Sequence, residues 1–369
     1  MAMKPLVTAA MLAALSVLAA PAQVSLPDYP DVWGVSAPVA GFQGRMLVVG
    51  GGCNFPTLDA ADGGRKTYYY KTYALGVRTV PYNLNTGWQP LPPLPEPLAY
   101  AQCATTPDGR LAVAGGQGPG GAVRSAYVLT TGPDSLYHWH PLPPLPVTVE
   151  QGGAACVGRT LYVCGGVQPG GACGLYALDL AAPQRWKRLA DCPGGARVQP
   201  VMAASGGCVY LMGGYRTEQG RCVMPAEVWC YHPETNSWQE AGSLPPHSGQ
   251  TAPRGLVGAA AAALPDGRIA VAGGVCDSLF RAAIEGRTGA DYLRHPAAWY
   301  QFSPDLLLYD PATRGFTTVA RMEPLARAGG ALLCREGWLF MAVGEVKPGV
   351  RTPQVWAWQL SQLVGGAQP

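Results

Sequence analysis

Pro107-Asp-Gly-Arg-Leu-Ala-Val-Ala-Gly-Gly116 joins a turn, a short apolar run and a glycine doublet. Asp-Gly between two apolar runs is a strong hairpin signal. The same phrase returns as Pro265-Asp-Gly-Arg-Ile-Ala-Val-Ala-Gly-Gly274. Shorter echoes end in Gly51-Gly52, Gly165-Gly166 and Gly213-Gly214, and a degenerate copy, Met341-Ala-Val-Gly344, reads as if Glu345 replaced the second glycine. Successive copies lie roughly 50 to 70 residues apart, the period of a repeat architecture. Each doublet leads through a variable loop into an alternating strand, such as Ala126-Tyr-Val-Leu129, Leu175-Tyr-Ala-Leu178 or Val228-Trp-Cys-Tyr231. An aromatic residue then opens a further strand: Trp88, Trp139, Trp186, Trp238 or Phe316. Four strands per unit make one propeller blade. The chain is therefore expected to be all-β, a six-bladed β-propeller, with those aromatics packed between blades.

The last unit is short. After Val355-Trp-Ala-Trp358 no room is left for a fourth strand, whereas Val24-Ser-Leu-Pro27 resembles the missing piece. These residues are expected to close the ring. The four-apolar run, the doublet and the spaced Tyr and Trp resemble the kelch repeat across essentially the whole mature chain.

Composition narrows the function classes. Only 13% of the 369 residues are charged and the net charge is +3, so no nucleic-acid surface is expected. Lys4, the apolar stretch from Leu6 to Ala20 and the small residues Ala20-Pro21-Ala22 read as an export signal. The expected organisation is a signal over 1–22 and a single propeller over 23–369, periplasmic or secreted, with no membrane association after cleavage. The eleven cysteines include no C-x-x-C pair, which argues against zinc, and most sit in apolar strand patterns as small buried thiols. His138-Trp-His140 falls on an outer strand and reads as surface.

Two loops carry the chemistry. Gly344-Glu-Val-Lys-Pro-Gly-Val-Arg-Thr352 places an acid and a guanidinium on either side of a turn; a solvated surface ion pair is the alternative. Pro193-Gly-Gly-Ala-Arg-Val-Gln199 would aim Arg197 and Gln199 at the channel, or form an ordinary turn. Both resemble signatures of the N-acetylneuraminate epimerases (sialic acid mutarotases): Gly-Glu-Ala-Lys-Pro-Gly-Leu-Arg-Thr and Pro-Gly-Gly-Pro-Arg-Asp-Gln. A third, weaker echo is Gly273-Gly-Val-Cys-Asp-Ser-Leu-Phe-Arg-Ala282. Here the Glu-bearing blade comes last, so the chain resembles a cyclically permuted branch of that family.

The resemblance implies an isomerase that interconverts the anomers of a sugar acid without metal or redox cofactor. It makes Glu345 the proton acceptor. The substrate carboxylate needs a planar cation, for which Arg351 is the first choice and Arg197 the second. Asn54, Gln199 and Tyr100 are candidates for holding hydroxyls or the N-acetyl group. The competing reading is a non-catalytic kelch module that binds a glycan or protein. A different propeller enzyme is disfavoured, because sialidase Ser-x-Asp-x-Gly-x-x-Trp turns are missing and the histidines are poorly placed for copper. The long loop over 277–305 is either a wall of the site or packing for a neighbouring blade.

Overall fold

The computed structural model describes residues 23–31, 33–77 and 87–364, so the expected export signal at 1–22 lies outside the described residues. Six four-stranded antiparallel sheets surround one axis, as the repeat predicts. The first blade runs outward from Val39–Gln43 through Met46–Gly50 and Thr72–Gly76 to Gln89–Leu91. The innermost strands of the next five are Gln102–Thr105, Gly153–Val157, Val201–Ser205, Ala259–Ala263 and Ala331–Arg335. They are rich in alanine because they converge on the axis, where large side chains would collide.

The core lies between blades rather than within any one of them. Phe42, Leu47 and Val49 of the first blade pack against Phe340, Ala342 and Val355 of the last, and equivalent layers separate the others. The tryptophans tie these layers together. The Trp88, Trp139, Trp186 and Trp238 indoles each donate to a carbonyl at the exit of the preceding blade, those of Pro27, Pro92, Pro143 and Ala190, at 2.7–3.1 Å. Trp186 is buried and the other three are half-buried, and each satisfies its one donor.

The ring closes as the short last unit requires. Gln23–Leu26 forms the outer strand of the sixth blade, pairing Val24 with Ala357 and Leu26 with Val355. Leu26 is buried and Pro27 carries the acceptor for Trp88. A chain starting at Asp28 should lose this ladder and about 1.5–3 kcal/mol from Leu26 alone. Its Tm is expected to fall by about 5–10 °C, and an unchanged melting curve would contradict closure by this strand.

The doublets do a specific job. The second glycine of each donates its N–H to the neighbouring blade: Gly52 to Leu98 O, Gly116 to Val149 O, Gly166 to Arg197 O, Gly214 to Gly255 O and Gly274 to Arg327 O, at 2.7–2.9 Å. In the last blade the donor is Gly344, to Val35 O at 2.9 Å. This corrects the register read from the sequence. Glu345 does not replace a glycine. Val343, at φ 49°, takes the first position of the doublet and Gly344, at φ 113°, the second. A Cβ on Gly344 would lie 2.9 Å from Gly330 Cα, so a side chain is excluded there and the acid falls one residue later.

Candidate active site

At the end of the channel where the doublets lie, six residues in left-handed conformation circle the axis: Ala37, Tyr100, Gln151, Gln199, Gly258 and Gly329. Backbone hydrogen bonds link Gly329 N to Gly258 O, Ala37 N to Gly329 O, Tyr100 N to Ala37 O, Gln151 N to Tyr100 O and Gln199 N to Gln151 O, at 2.7–3.1 Å. The side chains on this ring divide it. Tyr100, Gln151 and Gln199 fill one half, with Gln199 Nε2 donating to Gln151 Oε1 at 2.8 Å. Ala37, Gly258 and Gly329 project little or nothing into the other half, and a cavity of about 380 Å³ lies at this mouth, lined by all six residues.

The residue after each doublet forms a second ring, fixed by bridges such as Ser36–Cys53, Ala99–Gln117 and Ala328–Glu345. Its six members are Cys53, Gln117, Val167, Tyr215, Val275 and Glu345, so Glu345 supplies its one carboxylate. Glu345 and Arg351 are cross-strand partners in the small hairpin Glu345–Lys347 and Val350–Arg351. The turn between them returns the Gly349 N–H to Glu345 Oε1 at 2.7 Å. Arg351 Nη1 stands 3.1 Å from the same oxygen, with its guanidinium 4.8 Å from the centre of the Phe55 ring. Among the described residues, Arg351 Nε and Nη1 have no hydrogen-bond partner.

Glu345 lines the cavity and is partly exposed. Burial pushes its pKa up, against the lowering effects of Arg351, the Gly349 N–H and Lys66, and burial wins. Tyr100 lines the same cavity, and its pKa is raised by burial, by Cys53 and by Glu345, so it remains a neutral phenol. Lys66 Nζ donates to its hydroxyl at 3.0 Å. Glu150, whose Oε2 is buried without a partner among the described residues, is also raised by burial while Lys66 acts to lower it.

The long segment over 277–305 forms a wall of the cavity. It begins as the helix Asp277–Ile284, whose Leu279, Phe280 and Ala283 face the cavity, and continues to Tyr292, Tyr300 and Phe302. Phe280 meets Tyr215 edge to face at 5.0 Å. Lys347 Nζ donates to His295 O at 2.7 Å, and Arg294 pairs with Asp62 at 2.7 Å. Loops of the first, fifth and sixth blades are thereby clasped around Glu345.

The candidate residues separate. Glu345, Tyr100 and Gln199 line the cavity, and Arg351 sits directly behind Glu345. Arg197 does not reach it. It is fully buried, with Nη1 donating to Glu227 O at 3.1 Å and Nη2 to Glu227 Oε2 at 3.3 Å. Arg327 repeats this two blades on, donating to Val343 O and Gln354 O at 2.9 and 3.1 Å, so both arginines satisfy backbone carbonyls at blade edges. Asn54 is spent likewise: Nδ2 donates to Trp33 O and Gly34 O, and Oδ1 accepts from the Phe55 N–H. Lys66, Gln151 and Glu150 were not singled out in the sequence. No local signal marks them, because blade packing brings them together. The helix in the wall did carry a signal: Leu279, Phe280 and Ala283 at helical spacing behind Asp277.

Comparison with known proteins bears on the same segments. The N-acetylneuraminate epimerase family model matches residues 142–364, more than half of the chain. The N-acetylneuraminate epimerase of Haemophilus influenzae (strain PittEE) is 34% identical over 226 residues, covering 58% of this chain and 57% of its own length. That of Pasteurella multocida (strain Pm70) is 31% identical over 224 residues, covering 57% of each. The chain thus matches about 57% of the length of these curated relatives. A solved structure of YjhT superposes with a TM-score of 0.52 at 26% identity, covering 62% of this chain and 69% of that one. The matched region contains the Glu345 hairpin and the aromatic wall, and the chain belongs to the N-acetylneuraminate epimerase family.

Proposed function

We propose that the protein is an exported mutarotase that speeds exchange between the α and β anomers of N-acetylneuraminate. The observation that carries this reading is Glu345: a carboxylate of raised pKa opening into a cavity of about 380 Å³ with one aromatic and one amide-lined side. Mutarotation of a 2-keto sugar acid removes the anomeric hydroxyl proton and delivers one to the ring oxygen. The ring C–O bond breaks to give the ketone, and attack on its other face recloses the ring. Glu345 takes the first proton as general base, and its protonated form or a water returns one. Lys66 and Arg351 supply positive charge beside the carboxylate end of the sugar, Gln151 and Gln199 hydrogen-bond its polar substituents, and the aromatic wall covers its apolar face. The partial length match to the relatives accords with cyclic permutation, since a sequential comparison of two rings opened at different blades follows only the blades in common order.

The test is a proton NMR time course on the α anomer released in situ by a sialidase. Acceleration toward the anomeric equilibrium supports the reading. Binding of the sugar without acceleration would favour a non-catalytic module instead.

The acid limb of kcat/KM should expose the Glu345–Arg351 pair. A base must be ionised, so activity rises with pH through the Glu345 pKa, which lies above the ordinary carboxylate value. Arg351 lowers that pKa, so Arg351→Gln should move the limb upward by about one pH unit. An unmoved limb with a raised KM would confine Arg351 to substrate binding.

A further inference from the structure

The fourth blade carries a second cluster, at the end of its strands away from the cavity. Cys208 opens the strand Cys208–Met212, and Cys230 and His232 close the strand Glu227–His232 that pairs with it. Side chains alternate along a strand, so Cys208, Tyr210, Cys230 and His232 share one face. The Cys208 and Cys230 sulfurs and a His232 ring nitrogen all lie within 4.8 Å of one another, with Cys208 Sγ 3.4 Å from His232 Nδ1.

We propose that Cys208, Cys230 and His232 form a binding site for a zinc-class divalent cation. With zinc–sulfur and zinc–nitrogen bonds of about 2.3 and 2.0 Å, the S···N edge of a tetrahedral site is about 3.5 Å, close to the spacing present. The sulfurs are not well set for a disulfide. Register places Cys230 diagonally across from Cys208, and such neighbours have Cα atoms about 7–8 Å apart, beyond the usual disulfide range. Cys230 is buried, whereas Cys208 and His232 are half-buried, leaving the fourth position open to a water. Two thiolates and an imidazole suit a borderline-soft ion. Binding replaces the two thiol protons, so one M²⁺ enters as two H⁺ leave and no electron is transferred. Tyr210 pairs with Cys230 across the ladder and presents its phenol on the same face. The sequence argument against zinc, from missing C-x-x-C pairs, holds for ligands supplied by one turn; here strand pairing sets Cys208 opposite Cys230-x-His232.

The experiment is a Co²⁺ titration of the reduced, desalted full chain. One equivalent should produce thiolate-to-cobalt charge-transfer absorption and visible bands of tetrahedral intensity. Cys208→Ser and His232→Asn should each abolish them, while Cys173→Ser, in a separate thiol cluster of the third blade, should not. Zn²⁺ should raise Tm by a few degrees in the wild type and Cys173→Ser but not in His232→Asn. Bands that are absent, that survive Cys208→Ser or that vanish in Cys173→Ser would overturn the proposal, as would a Cys208–Cys230 disulfide in the exported protein. No readout involves a sugar, so failure here leaves the mutarotase reading standing.

Discussion

Glu345→Gln should abolish most of the acceleration of anomer exchange while leaving a folded protein of slightly higher Tm. The two effects share one cause. Loss of a positioned general base costs about 10²- to 10⁴-fold, and the amide cannot replace it because it does not accept a proton near neutral pH. The stability effect follows from linkage. The Glu345 pKa is raised in the folded state, so the protonated form is favoured there over the unfolded chain. The stability it contributes is present below the unfolded pKa and is lost as pH rises through the folded one. At neutral pH the ionised carboxylate therefore costs stability, even after the attractions of Arg351, the Gly349 N–H and Lys66 are counted. Glutamine mimics the protonated acid and can still accept from Gly349. Each kcal/mol recovered corresponds to about 2–4 °C in Tm. The NMR time course and a melting curve on one preparation check both halves. A variant that is slow and also less stable would mean that Glu345 supports the hairpin and that the rate loss is structural.

The blades were legible because their signals are local: turn, apolar run and doublet fall within one stretch of chain, and ring closure followed from the last blade being one strand short. The position of the acid was less legible. Val343 in a left-handed conformation gives no warning in the sequence, and only the shared Gly N–H bond to the next blade shows that Gly344 is the second doublet residue. Polar loop residues proved ambiguous for a related reason. Arg197 and Asn54 look available in sequence, but carbonyls from remote segments consume their donors. Lys66 and Gln151 were invisible for the converse reason: Gln151 lines the cavity and Lys66 reaches its Tyr100 only through contacts between blades.

Ala37→Gln should fold normally and lose substrate. The ring of left-handed residues tests whether a side chain is tolerated there, because the same backbone already carries Tyr100 at φ 56°, Gln151 at φ 57° and Gln199 at φ 54°. Ala37 itself adopts φ 52°, so the substitution asks nothing new of the backbone. Stability should change by less than about 0.5 kcal/mol. The cavity should change far more, since Ala37 lines it and projects only a methyl group. A glutamine at 37 occupies the space opposite Gln151 and Gln199, where the sugar must sit to reach Glu345. Even one surplus methylene in an enclosed pocket costs about 10- to 200-fold in kcat/KM, so a whole carboxamide arm should cost at least about 100-fold, chiefly through KM. Gln151→Ala, which widens the opposite half, should retain turnover with weaker binding. If Ala37→Gln keeps its Tm and also keeps its KM, the sugar does not enter through the open half of the ring, and the base that serves it must lie elsewhere than at Glu345.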